Sequence, residues 1–215
     1  MGGGVIISSS TFWHIIRKVL ERVNRLFPKF KIRIPGFLTV VHDWSFWDWP
    51  CVVRQFDSIQ QFFSPVISED VRLRFRPGKV AGGQELLLGV HVRRGDYREF
   101  IGGKWFFDDE TYVRAINECV DRLGCSRVIL FSNEPVDYEK FRRLCKAKDI
   151  EFPCGSAVQD QWMMGQCDYL IGPPSTFTWW ASFLGKGVLV ANIDGSSMSH
   201  AKFRDIRAEI SQMRT

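Results

Sequence analysis

Residues Gly89–Asp96 read GVHVRRGD, and this stretch decides the fold. An apolar run from Leu86 continues through Val90 and Val92, then stops at two adjacent arginines, a glycine and an aspartate. A run that short and that apolar predicts a strand buried on both faces of a sheet. The polar cluster falls at its carboxyl end, where open α/β sheets bind ligands. Alternation puts His91 and Arg93 on one face and Val92 and Arg94 on the other. One arginine is therefore free to meet a ligand while its neighbour braces a loop or a carboxylate such as Asp96. Two readings fit these residues. One is a site for an anionic group, a phosphate or diphosphate, held by planar donors. The other is a structural ion-pair knot at a strand end.

Downstream, strand and helix patterns alternate. Strands are expected at Leu86–Val92, Arg127–Ser132, Ile150–Phe152, Tyr169–Gly172 and Val188–Asn192. Helices are expected at Asp109–Leu123, Pro135–Ala147, Gln159–Cys167 and Ser175–Leu184. This spacing predicts a Rossmann-like parallel sheet with helices on both faces. The first 80 residues differ in character. Thr11–Phe27 has an amphipathic helical pattern, Trp44, Trp47 and Trp49 form an aromatic cluster, and Arg76–Lys79 with Gly82–Gly83 reads as a linker. The division expected is a reduced N-terminal region, 1–80, and a sheet domain, 81–215.

Several strand ends offer ligand contacts. The first gives His91 and Arg93, and the second gives Ser132, Asn133 and Glu134. The fourth runs into Gly172-Pro-Pro-Ser-Thr, which places Ser175 and Thr176 at a helix N-terminus. Free N–H groups and the helix dipole favour an anion there, and plain capping explains the same residues. Asp160 opens the third helix, where it is either a helix-start carboxylate or an acceptor for paired N–H donors such as guanine's Watson–Crick edge. Trp179 and Trp180 read as core packing.

Composition narrows the function classes. The chain has 215 residues, 45% of them hydrophobic, and a formal charge of +5. No long Lys/Arg run occurs, which speaks against nucleic acid and for a small anionic ligand. The six cysteines, Cys51, Cys119, Cys125, Cys145, Cys154 and Cys167, form no CxxC pair, and with four histidines they do not predict a metal site. They read as buried hydrophobes in a reducing compartment. No apolar run approaches the roughly 20 residues a membrane span needs, and the start shows no signal-peptide pattern. The expected location is cytoplasmic.

HVRRGDY (His91–Tyr97) and QCDYLIGPPSTFTWWASFLG (Gln166–Gly185), in this order, resemble the α-1,2-fucosyltransferases. The likeness covers roughly residues 86–195. It implies a GT-B glycosyltransferase that moves L-fucose from GDP-fucose to a galactose-terminated glycan in α-1,2 linkage, with inversion and without a metal or further cofactor. It further implies that Arg93 binds the donor's β-phosphate, with Asp96 beside it in catalysis. His91 and Asp160 would contact guanine. Ser175, Thr176 and the backbone of Phe177 would lie by the diphosphate, and Arg94 and Asp96 would order the loop of the donor site. Asp43, Asp48, Asp96 and Glu99 are candidate general bases. The resemblance also implies an alternative location, the Golgi lumen, if the chain is a piece of an anchored enzyme. The chain departs from the family at its start: Gly2-Gly3-Gly4 is followed by Val5, where members carry G-G-x-G-N-Q. A GDP-binding remnant without transfer activity is therefore the alternative expectation.

Overall fold

The computed structural model describes residues 33–34, 38–39, 54–63, 65–74, 79–80, 83–153 and 155–212. Two compact units divide at Asp48/Trp49. Within the first, β1 (Arg33–Ile34) pairs antiparallel with β2 (Leu38–Thr39). The predicted helix Thr11–Phe27, the Trp44–Trp49 cluster, Asp43, Asp48, Cys51 and Cys154 lie outside the described residues.

The second unit is built on a six-stranded sheet. Its strands are β5 (Leu87–Val92), β6 (Arg127–Ser132), β7 (Asp149–Glu151), β8 (Tyr169–Gly172), β9 (Leu189–Asn192) and β10 (Arg204–Asp205), in the order β10-β9-β8-β5-β6-β7. All neighbours are parallel except β10, which runs antiparallel to β9. The strand order reverses between β5 and β8, which is the topological switch point of a Rossmann-like sheet. The α/β class and the parallel sheet expected from the sequence are therefore present. β10 and the helix after it were not expected.

Period-two alternation in β5 sorts its side chains onto the two faces. Leu88, Val90 and Val92 join one core with Tyr112, Ile116 and Cys119 of α3 (Asp109–Leu123) and Phe141 of α4 (Tyr138–Leu144). Leu87 joins the opposite core with Met163 and Met164 of α5 (Ala157–Met164) and Ala181 and Phe183 of α6 (Thr176–Leu184). Ile206 of α7 (Ile206–Gln212) completes that second core. Phe56 and Ile59 of α1 (Phe56–Phe63) and Val71 of α2 (Glu69–Arg74) also pack on it. Burial of these side chains explains why the compact unit begins earlier in the chain than the linker at 76–83 suggests. That linker contains a short antiparallel pair, β3 (Lys79–Val80) with β4 (Gly83–Gln84).

Local chemistry sets the helix ends. Asp108 caps α3 by accepting the Thr111 N–H, and Gly124 ends it in the left-handed region at φ 72°. Asp137, rather than the Pro135 start expected, caps α4, which ends at Leu144 because Cys145 is extended. Ser156 and Gln159 form a reciprocal capping box that starts α5 at Ala157, two residues before the expected Gln159. Cys119, Cys125, Cys145 and Cys167 are buried free thiols. Burial pushes Cys119 up to about 12, and Cys125 and Cys145 up to about 11. They are packing residues with no thiolate character at neutral pH. Trp179 and Trp180 pack against the second core, as expected.

Candidate active site at the switch point

The carboxyl ends of β5 and β8 carry the polar residues singled out in the sequence. Gly172, the last residue of β8, makes the close approach of these strands possible. A Cβ there would meet the His91 carbonyl oxygen at 2.8 Å and the His91 Cβ at 3.0 Å. His91 is 3% exposed, and its Nδ1 lies 2.8 Å from the Thr178 hydroxyl of α6. Burial, with Arg93 adding to it, lowers its pKa to about 3, so the ring is neutral at physiological pH. It also sits 5.6 Å from the Phe177 ring. The ring is covered on the face of β5 that meets α6, and its contact with Thr178 ties the strand to that helix. Thr178→Val should leave the His91 nitrogen without its buried partner, at a cost of about 1–3 kcal/mol in urea unfolding.

The two arginines part as the alternation predicts. Arg94 turns toward α3. Its Nε donates to the Phe107 carbonyl at 3.3 Å, its guanidinium pairs with Asp109, and its centre lies 5.8 Å from the Tyr112 ring. The Arg94 and Asp109 side chains are only 13% and 16% exposed. Lys140 adds a second cation to Asp109 at 3.4 Å. Arg94 is thus a brace for the loop and the start of α3. Its backbone N–H donates to Asn133 Oδ1 at 3.0 Å. Gly95, at φ +56°, turns the loop back against that asparagine, and a Cβ there would meet Asn133 Nδ2 at 2.9 Å. Ser132 and Glu134 shape the neighbouring turn: the Ser132 hydroxyl donates to the Glu134 carbonyl at 2.7 Å.

Arg93 is differently held. Its backbone N–H donates to the Tyr112 hydroxyl at 3.2 Å. Its guanidinium meets Asp96 at 2.9 Å, with side chains 31% and 59% exposed. Its Nε is buried without a hydrogen-bond partner. A half-open guanidinium with a weak, solvent-facing carboxylate and an unused donor is poised for a stronger anion.

Across the switch point, Ser175 caps α6 by accepting the Phe177 N–H at 3.2 Å. Thr176 is exposed and Ser175 half-buried beside it. The Phe177 N–H expected near a diphosphate is therefore engaged by the cap. Asp160 lies farther along the same edge, in the first turns of α5. Its Oδ1 is buried and unpartnered, and burial pushes its pKa up to about 6, against the pull of the helix dipole. Gly155 sits against it, since a Cβ there would meet Asp160 Oδ1 at 2.7 Å. Gly155 also lines a cavity of about 460 Å³ with Arg142, Phe152, Pro153, Gln159 and Met163. The site thus has a cationic station at β5/β8 and an acidic one at α5. Sequence reasoning missed Thr178, Tyr112 and Asp109 as supports. Tyr112 and Asp109 were legible only as members of the α3 helix. Among the described residues, no group of three or more His, Cys, Asp or Glu side chains converges to hold a metal ion. None of the described helices is long and apolar enough to cross a membrane.

Residues 68–209 match the model of glycosyl transferase family 11. Galactoside alpha-(1,2)-fucosyltransferase 1 of Homo sapiens is 25% identical over 133 residues, which cover 58% of this chain and 36% of that protein. The protein of the same name from Saimiri sciureus is 24% identical over the same length. The matched region thus spans about a third of these relatives. Among solved structures, POFUT1 in complex with GDP-fucose is 15% identical, with a TM-score of 0.44 over 59% of this chain and 44% of that one. Because the family model covers the sheet, both arginines, Asp160 and the Ser175–Phe177 turn, the chain belongs to glycosyl transferase family 11.

Proposed function

We propose that this chain binds GDP-fucose along the carboxyl edge of its sheet and transfers L-fucose to a galactose-terminated glycan in α-1,2 linkage. The names of the curated relatives support fucose and galactoside as donor sugar and acceptor. The observation that carries the reading is Arg93, set at the switch point with an unused buried Nε and an exposed, exchangeable partner in Asp96. The donor's diphosphate displaces Asp96 from Arg93 and lies against the N-terminus of α6, with Ser175 and Thr176 beside it. Guanine reaches Asp160, whose carboxylate, one oxygen of it now unpartnered, accepts from the ring N–H and the exocyclic amine.

Chemistry follows from charge. The C1–O bond of the fucosyl phosphate breaks as the acceptor hydroxyl attacks the opposite face of the sugar and gives up its proton to a carboxylate or to water, which inverts the anomeric centre. Negative charge grows on the departing GDP, and a fixed guanidinium stabilises it without reorganising. In this reading Arg93 and the α6 N-terminus supply the positive charge. The test is GDP release from GDP-fucose with a panel of β-galactosides, with and without EDTA. The expected result is galactoside-dependent release that EDTA leaves unchanged, with a fucosylated product. Saturable GDP binding with no product from any galactoside would reduce the chain to a nucleotide-binding remnant.

A further inference from the structure

Tyr97 closes the His91–Tyr97 motif, and the donor-site reading gives it no task. Its side chain is 8% exposed. Its hydroxyl donates to the Pro174 carbonyl at 2.6 Å, joining loops 77 residues apart in the chain. Its ring lies 5.5 Å from the Arg93 guanidinium carbon, within cation–π range. The Phe100 ring lies 5.3 Å from it, tilted by 31°. Pro174 directly precedes Ser175, the cap of α6. The Pro173-Pro174 pair has both φ angles fixed by its rings, so the carbonyl sits on a stiff stretch of chain.

We infer that Tyr97 is a positioning residue, a latch that fixes the Arg93 guanidinium relative to the N-terminus of α6 so that both meet one diphosphate. The inference rests on the donor-site reading above for its ligand, though not for its geometry. The ring sets the height of the guanidinium above the loop, and the hydroxyl sets the distance between the two loops. Phe100 backs the ring, so removing the hydroxyl alone leaves the packing in place. Arg94 and Gly95 hold the start of the loop independently, through Asp109 and Asn133.

The test is Tyr97→Phe, which deletes one oxygen, with Tyr97→Ala as the stronger variant. The first readout needs no ligand: ¹⁵N relaxation of the Arg93 Nε–H in the unliganded chain. The latch predicts a lower order parameter in Tyr97→Phe and a lower one still in Tyr97→Ala. The second readout is calorimetry with GDP and GMP. Loss of one net hydrogen bond should weaken GDP about three- to tenfold and leave GMP, which lacks the β-phosphate, within about twofold. A purely structural tyrosine would lower the unfolding midpoint while leaving the Arg93 relaxation and the GDP/GMP ratio as in the parent, and that result overturns the inference. If the parent itself fails to bind GDP, the donor-site reading falls, and the relaxation data alone decide the positioning claim.

Discussion

Arg93→Ala is expected to lower fucosyl transfer by about 10²–10³, the usual effect of removing a group that stabilises charge developing in the transition state. Its effect on stability should be small, within about 1 kcal/mol, because the pair it forms with Asp96 is largely open to solvent. Arg93→Lys keeps the charge and loses the planar fork, so its activity falls between the two. The neighbouring arginine should show the reverse pattern. Arg94→Ala removes hydrogen bonds to the Phe107 carbonyl and the sparsely exposed Asp109. It should lower stability by about 2 kcal/mol, with GDP affinity kept at temperatures where the variant is folded. Paired urea unfolding curves and initial rates for both variants check this division of labour. Equal rates in Arg93→Ala and parent would remove Arg93 from the chemistry.

Asp160→Asn is expected to move stability and binding in opposite directions. Burial raises this carboxyl to about 6 in the folded chain, above the 3.8 it has when unperturbed. The folded state therefore holds the proton more tightly than the unfolded state. The contribution of this group to stability is greatest below pH 4, falls as pH rises from about 4 to 6, and above 6 becomes the full cost of a half-buried charge. Asparagine has no such charge. The variant should therefore melt higher than the parent at pH 7.5, with the gap closing below pH 6 and vanishing near pH 4. GDP binding should instead weaken at least about tenfold through loss of two charge-assisted hydrogen bonds. The preference for GDP over ADP should shrink with it. Melting curves across pH together with the two nucleotide titrations check both halves. A lower melting point at pH 7.5 with unchanged GDP affinity would make Asp160 an ordinary structural carboxylate. Fold-destabilising groups of this kind gather at functional sites, which is why the two effects are expected together.

The parallel sheet was legible because β5, β6 and β8 are short apolar runs that end in polar residues, and period and length suffice to read them. The parting of the Arg93 and Arg94 side chains was legible from alternation alone, since one face of β5 meets α6 and the other meets α3. His91 was not legible in the same way. Its partner Thr178 lies 87 residues away, and only the packed helix shows that the ring is covered. β10 was missed because two residues, Arg204 and Asp205, are too few to show alternation and carry charges untypical of a buried strand. The starts of α4 and α5 shifted because the caps Asp137 and Ser156 outweigh the proline and glutamine at which the helices were expected to begin. Asp160 kept its place at the start of its helix, but its orphaned oxygen and raised pKa depend on Gly155 and the surrounding packing.

Calorimetric titration of the chain with GDP-fucose, GDP-mannose and UDP-galactose, repeated with Arg93→Ala, tests whether Arg93 grips a guanosine-linked diphosphate. Saturable binding is expected of both guanosine-linked donors, none measurable of the uridine-linked one, and a loss of at least about tenfold in the variant. Equal affinity for all three donors, or equal affinity of parent and variant for GDP-fucose, would contradict that reading.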